Sequence, residues 1–505
     1  MTTPAVPQVP NVLVLMTDQH RIDTIGALGN PYAHTPHLDA LADEGFAFTH
    51  AFTPTAICTP ARTSLLTGTA PFRHKVLANH EWNIGYTSDV TPDRWSYTQE
   101  LRDNGYNVGI VGKFHAGETH LPDEFGMDDD SYEGAINPVL NEKYQAWLKE
   151  NNFPPVRIED EIKGTLPGGR PGHTLAGRLK QPLEATFERF ITERSIARLR
   201  QYAQDYFEHG KPFSLDVHYF GPHLPYIIPD EWFDLIDPEC VELSPSFGEN
   251  FANKPPIQEN YSVYWSTQCF TRDEWKKLTA VYWGYVAMID HEIGLIREEV
   301  ERLGLADSTS IFFTADHGEF TGCHRLNDKG PMMYDDIYRI PFFAHIPGVT
   351  HSGTNDAFVS LIDLPATVMD LTGCDSAKVI DGRSILDLIR EGEIEDWRDD
   401  MVLEFHGHHF PLQQRGLRTR DFQLTISPES LNELYDLRTD PYQMVNVYDV
   451  PHYDEIRRDL AKNLYHQLVA RGDDVFAKWM AAMTDFDIEL TATAKSDYDV
   501  VETDD

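Results

Sequence analysis

The sequence predicts an α/β fold, a large and mostly parallel mixed sheet flanked by helices, followed by a smaller α+β C-terminal subdomain. Three observations carry this. Apolar runs of strand length, Asn11–Met16 and Ser310–Thr314, are continuous rather than alternating, as in strands buried on both faces. Segments of helical periodicity alternate with such runs along most of the chain. After about residue 396 the pattern changes to short strands separated by turns.

Asn11–Met16 is the first buried strand. Thr35–Pro36 then opens a helix through Leu38, Leu41 and Ala42, which stops at Gly45. Phe46–Phe52 reads as a second strand, and Thr63–Leu66, behind Cys58, as a helix stopped near Gly68. The helix Trp95–Asp103 leads into the strand Tyr106–Val111. Residues 117–185 are rich in Asp, Glu, Pro and Gly and lack a steady period, which predicts an insertion over the sheet edge, in the position of a pocket lid. Leu183–Phe207 is a strongly amphipathic helix. Pro212–Tyr219 is the next strand, and Asp273–Leu303 a long helix ahead of Ser310–Thr314. Met401–Phe405, Gly416–Thr419, Phe422–Ile426 and Glu433–Tyr435 predict a small sheet, followed by one helix from His452 to Ala482. The expected division is a main α/β domain over 9–395, a C-terminal subdomain over 396–485 and an acidic tail over 486–505.

The composition is that of a soluble globular chain, with 41% hydrophobic and 24% charged residues. The formal net charge is −39, from 42 Lys and Arg against 81 Asp and Glu. That balance excludes nucleic acid as a partner, since phosphate binding needs clustered cations. An anionic substrate would need a locally positive pocket. Val12–Met16 is too short an apolar run for a membrane span, and no membrane association is expected. The N-terminus shows no basic segment of a leader, which implies a cytoplasmic protein, or export where a leader has been removed. Five cysteines are few and odd in number, and free thiols are expected.

Chemistry-bearing residues fall where parallel strands end, which is where open α/β sheets place their sites. Asn11–Met16 delivers Asp18 and Gln19, and Ser310–Thr314 delivers Asp316 and His317. Such oxygen-rich ligands suit a hard divalent cation: calcium, magnesium or manganese. The most telling segment is Cys58–Thr59–Pro60–Ala61–Arg62, running into Thr63–Ser64–Leu65–Leu66–Thr67–Gly68. Cys58 precedes a helix that carries Arg62, so helix dipole and guanidinium both favour an anion there.

The spacing Cys-x-Pro-x-Arg followed by Leu-Thr-Gly resembles the signature of the type I sulfatases, formylglycine-dependent hydrolases of the alkaline-phosphatase-like superfamily. The resemblance spans roughly residues 10 to 445. His34–Thr35–Pro36–His37–Leu38–Asp39–Ala40–Leu41 is similar to that family's helix motif, with His37 where Asn is common. Gly112–Lys113–Phe114–His115 and Pro222–His223–Leu224–Pro225 match two further motifs. So do Ala315–Asp316–His317–Gly318–Glu319 with Gly322, His324 and Lys329 downstream, Arg339–Ile340–Pro341, and Glu433–Leu434–Tyr435–Asp436–Leu437 with Asp440–Pro441.

The resemblance implies that a maturation system converts Cys58 to formylglycine. It implies one divalent metal, calcium first and manganese or magnesium next, held by Asp18, Gln19, residue 58, Asp316 and His317. The hydrated aldehyde would attack sulfur, and its second hydroxyl would then collapse and expel sulfate. Arg62, Lys113 and Lys329 would offset the negative charge, His115 would act as base, and His223 would protonate the leaving oxygen. Asn79, His80, Trp82 and His408 are the expected substrate-binding residues, with His406, His409 and Gln413 on the same C-terminal stretch as His408. The implied substrate is a small anionic sulfate ester, a carbohydrate sulfate. Asp18–Gln19 with Asp316–His317 also resembles phosphonate monoester hydrolases and choline sulfatases, whereas Lys113 with His115 favours sulfate esters. A catalytically silent binding member of the fold is the third reading, against which the intact set of residues speaks. The sequence leaves a homo-oligomer open.

Overall fold

Asn11–Thr17 is buried at every position and forms β1. Its side chains divide by parity: Leu13 and Leu15 join one apolar cluster, and Val12, Val14 and Met16 join another. A period of two with both faces covered is the mark of a central strand. The computed structural model describes residues 9–79, 86–87, 89–132, 138–349, 352–375, 381–484, 486 and 488.

The further strands in chain order are β2 (Phe46–Phe52), β3 (Asn107–Lys113), β4 (Asp128–Tyr132), β5 (Ile158–Leu166), β6 (Arg170–Leu179), β7 (Phe213–His218) and β8 (Tyr226–Pro229). They continue with β9 (Thr309–Ala315), β10 (Phe342–His345), β11 (Gly353–Ser360), β12 (Asp400–Phe405), β13 (Gln414–Thr419), β14 (Phe422–Ile426) and β15 (Glu433–Asp436). The main sheet has the order β11-β2-β10-β9-β1-β7-β3-β4. Its pairings are parallel except where β10 runs antiparallel to both β2 and β9. Helices Phe187–His209 and Arg272–Arg302 cover one face with Leu13 and Leu15. Helices Cys58–Thr67, Tyr97–Asp103 and Asp363–Thr372 cover the other with Val12, Val14 and Met16. Each fully buried Leu or Val on β1 contributes about 2 kcal/mol to this sandwich.

Two sequence expectations change. The single helix from His452 to Ala482 is two helices, Asp454–Arg471 and Asp474–Met483. Gly472 at φ 79° caps the first in the left-handed region, and the buried Asp473 receives Arg415 Nε. Residues 117–185, read as lacking a period, hold β4 at the edge of the main sheet, the helix Glu142–Glu150, and the antiparallel pair β5–β6, which β8 joins in parallel. β5 is partly or fully exposed at almost every position, so it carries no apolar alternation to read. β12 to β15 form the antiparallel C-terminal sheet, which shares an apolar cluster with the two last helices. All five cysteines are free thiols. No helix among the described residues is long and apolar enough to cross a membrane.

Candidate active site

β1 and β9 are parallel neighbours in register from Asn11 opposite Thr309 to Thr17 opposite Ala315, so Asp18 and Asp316 leave the sheet side by side. Gln19 turns the chain there with φ 62°, and its N–H donates to Asp316 Oδ1 at 3.1 Å. The His317 N–H donates to the same oxygen at 2.9 Å. Cys58 opens its helix against these loops, with Sγ 3.1 Å from His317 Nε2 and 3.9 Å from Asp18 Oδ1. That sulfur marks where the oxygen of a matured residue 58 would stand. Asp18, Gln19, Asp316 and His317 are all fully buried.

Three cations frame this group. Arg62, one helical turn beyond Cys58, donates from Nη2 to Asp18 Oδ2 and from Nε to Asp316 Oδ2, both at 2.9 Å. Its Nη1 donates to the Lys113 carbonyl at 2.7 Å. Lys113, the last residue of β3, sets Nζ 2.6 Å from Asp18 Oδ2 and 5.6 Å from the centre of the Phe220 ring. Lys329 Nζ donates to Gln19 Oε1 at 3.0 Å and lies 3.0 Å from His223 Nε2. His115 Nε2 lies 3.2 Å from Thr59 Oγ1, and its ring also hydrogen-bonds the Cys58 side chain.

Electrostatics follow from this crowding. Burial opposes ionisation of Cys58, but Lys329, Lys113 and His317 together hold its thiol well below the usual range. Burial and the neighbouring Cys58 push Asp18 up, and Lys113, His223 and Arg62 overcome them, so its carboxyl lies below the usual range. Burial and Asp18 hold the Asp316 carboxyl up. Burial pushes His317 down, yet Asp316 and Cys58 win and raise it to about 9. The cations thus favour negative charge at residue 58 and Asp18, while Asp316 and Cys58 favour positive charge at His317.

A divalent cation suits the ligand atoms gathered here. Asp18, Cys58, Asp316 and His317 each offer a ligand atom, all within 4.8 Å of one another. Two carboxylates, an imidazole and the residue-58 position form a donor set that magnesium, calcium or manganese accepts, the nitrogen favouring manganese. The donors fit the metal that the sequence implied.

Cys58, Arg62, Lys113, His115, His223 and Lys329 are thus linked with Asp18, Asp316 and His317 through the contacts above. Gln19 joins them through Lys329. Asn79 lies beside residue 58: its Oδ1 accepts from the Thr59 N–H at 2.9 Å and so satisfies a donor at the start of the Cys58 helix. His408 Nε2 lies 3.8 Å from Asp328 Oδ2, beside Lys329. His409 packs its ring on Tyr264, with centroids 4.4 Å apart. His406 pairs with Glu404 at 2.9 Å, and Gln413 donates to the Tyr86 hydroxyl at 3.3 Å. His80 and Trp82 lie outside the described residues. Sequence reasoning missed Asp328 and any role for Glu319, both of which touch Gln19. Their signal was present, as acids immediately before Lys329 and three residues after Asp316.

Residues 10–374 match the family model described as Sulfatase, and residues 322–470 the one described as N-sulphoglucosamine sulphohydrolase, C-terminal. An Ulvan-active sulfatase of Formosa agariphila is 25% identical over 482 residues, covering 93% of this chain and 83% of that one. The multifunctional alkaline phosphatase superfamily protein PehA of Trinickia caryophylli is 28% identical over 517 residues, covering 92% and 96%. The crystal structure of a phosphonate monoester hydrolase of Agrobacterium radiobacter superposes with a TM-score of 0.76 at 24% identity, covering 92% of this chain and 96% of that one. That last likeness shows the fold.

Proposed function

The chain belongs to the sulfatase family, and on that premise we propose that it hydrolyses a sulfate monoester, a carbohydrate sulfate, to the alcohol and inorganic sulfate. The observation that supports this best is the buried convergence of Arg62, Lys113 and Lys329 around Cys58, in a chain whose net charge is −39. A sulfate anion finds local positive charge there.

Asp18, Asp316, His317 and the residue at 58 would hold the divalent metal, which supplies Lewis-acid stabilisation of negative oxygen. A formylglycine at 58, in its hydrated form, would supply an oxygen nucleophile and a second hydroxyl through which sulfate is released. The remaining work belongs to side chains of this chain. Lys113 and Lys329 flank residue 58 and offset the charge that develops on the sulfuryl oxygens. Arg62 bridges Asp18 and Asp316, donating from Nη2 to the first and from Nε to the second. His115, bonded to the residue-58 side chain, is placed to take the proton of the second hydroxyl. His223 donates from Nδ1 to Leu224 O, so its Nε2 accepts from Lys329 Nζ, and a proton handed through Nε2 to the leaving alcohol would be drawn from the Lys329 ammonium.

The carbohydrate reading rests on the Ulvan-active sulfatase of Formosa agariphila and on aromatic rings near Asp328. Tyr264 and His409 pack there with centroids 4.4 Å apart, and the exposed His173 adds a third ring 5.7 Å from Tyr264. Phosphonate monoester hydrolysis is the second reading, favoured by Gln19 and His317 at the metal. Turnover of sulfate monoesters, phosphonate monoesters and phosphodiesters by the matured enzyme tests the proposal. A sugar sulfate should be the fastest, and a phosphonate ester turned over far faster than any sulfate would overturn it. Mass spectrometry of the Cys58 peptide should show the loss expected for thiol becoming aldehyde.

A further inference from the structure

Position 19 carries a carboxamide, and its surroundings explain why. Gln19 Nε2 donates to Glu319 Oε2 and to Asp328 Oδ1, the latter at 3.1 Å. Its Oε1 accepts from Lys329 Nζ at 3.0 Å. All four residues are buried, with at most 2% of each exposed. The reverse orientation would set the amide oxygen against two carboxylates and the amide nitrogen against an ammonium. The amide is therefore oriented by chemistry as well as by packing.

Both acids are themselves anchored. Glu319 Oε1 accepts from the backbone N–H of Thr321 at 2.9 Å and of Asp328 at 2.5 Å. That closes the loop which carries Asp328 and Lys329. Asp328 Oδ2 accepts from the Tyr261 hydroxyl at 3.0 Å. Glu319 thus has one oxygen for its own loop and the other for Gln19.

We propose that Glu319 and Asp328 form a carboxylate clamp that holds the Gln19 amide nitrogen, so that only its oxygen is offered toward Lys329 and the metal site. Both acids are positioning residues. They make an amide the favoured group at position 19, because Asp or Glu there would set a third carboxylate against Glu319 and Asp328 where the amide N–H now donates to both. The inference rests on the metal reading of the site given above, and it extends that reading to residues outside the metal's reach.

Two substitutions separate the clamp from simple charge. Glu319→Gln keeps an Oε1 for Thr321 and Asp328 but turns the other atom from acceptor to donor, which then meets Gln19 Nε2. Gln19→Glu adds negative charge near a cation site, so charge alone predicts tighter metal binding, whereas the clamp predicts weaker binding. The measurement is manganese chloride titrated calorimetrically into full-length, metal-stripped protein, with the melting temperature of each metal-free variant as control. Glu319→Gln should bind manganese about tenfold more weakly than the unsubstituted protein. Gln19→Glu should also bind more weakly, and adding Glu319→Gln to it should recover affinity, because an amide then faces a carboxylate again. Unchanged binding by Glu319→Gln, or further loss in the double variant, would overturn the clamp. Should Gln19→Glu fail to fold, Glu319→Gln against the unsubstituted protein decides alone. Absence of manganese binding by the unsubstituted protein would overturn the metal reading and the clamp with it, and is distinguishable from failure of the clamp alone.

Discussion

The loop after β9 carries two buried histidines, and their surroundings differ in kind. His317 Nε2 meets Cys58 at 3.1 Å and stands 3.7 Å from Asp316 and 3.9 Å from Asp18, groups delivered by three separate elements around one space. His324 is closed in. Its Nδ1 is 2.8 Å from Glu249 Oε2, its ring lies flat on Tyr334 with centroids 3.9 Å apart, and Lys254 Nζ completes Glu249 at 2.5 Å. Both residues fall in the motif-bearing stretch of the sequence. A buried acid that finds its own base within the fold is structure, whereas charges that converge on a shared space wait for a ligand.

That contrast can be broken most severely at Cys58. Cys58→Ala should lower sulfate-ester turnover by more than about 10⁴-fold, with the melting temperature within a few degrees of the unsubstituted protein. His324→Ala should do the opposite. It leaves Glu249 and Lys254 imperfectly matched under Tyr334, destabilising by about 3 kcal/mol while kcat per folded molecule stays within a few fold. A stable but inactive His324→Ala enzyme would abolish the distinction.

His223→Gln sharpens the comparison on the leaving-group side. Its loss should be about 10² to 10³-fold with an alkyl or sugar sulfate, and much smaller with an activated aryl sulfate that needs no proton. Steady-state rates over a series of leaving groups would show it, and a uniform loss would contradict the acid role.

Chelation comes next in size. Stripping with EDTA should remove activity, and returning manganese or calcium at 100 times Kd should raise unfolding free energy by about 2.7 kcal/mol. His324→Ala should show the same metal-dependent rise, since its cluster lies apart from the four ligands.

A last effect, on stability alone and without consequence for turnover, concerns a third kind of buried group, an acid with no base. Burial raises the Glu188 carboxyl to about 7, while the hydrogen bond from Tyr285 opposes this. The native state therefore keeps the proton, and the unfolded chain releases it near the ordinary glutamate value. The stabilisation is full below that value and is lost as pH rises to about 7, a fall of about 3 kcal/mol at most. Glu188→Gln keeps the Tyr285 bond and should show a flatter stability profile between pH 4 and 7 in denaturant titrations. Parallel profiles would mean that Glu188 ionises normally.

Much of this molecule is legible in its sequence. The apolar runs of β1 and β9 announce a sheet buried on both faces, and Asp18 and Asp316 follow directly from where those runs stop. Cys58 and Arg62 are close in sequence, so their helix brings them together on its own. What escaped was either short, exposed or distant. β10 has only four residues, and β5 shows no apolar face because both its sides meet solvent. The break at Gly472 was hidden because apolar positions continue on either side of it.

By itself the sequence determined which groups carry chemistry and which strand ends present them, because periodicity and short-range spacing are local properties. Only the tertiary structure decided how those groups are shared out. It turned Asn79 onto the Thr59 N–H, closed His324 on Glu249, and brought Glu319 and Asp328 onto the Gln19 amide. Hydrogen-bond partners of buried polar groups are chosen among atoms far apart along the chain, since burial obliges every donor and acceptor to find whatever the packed fold places within reach.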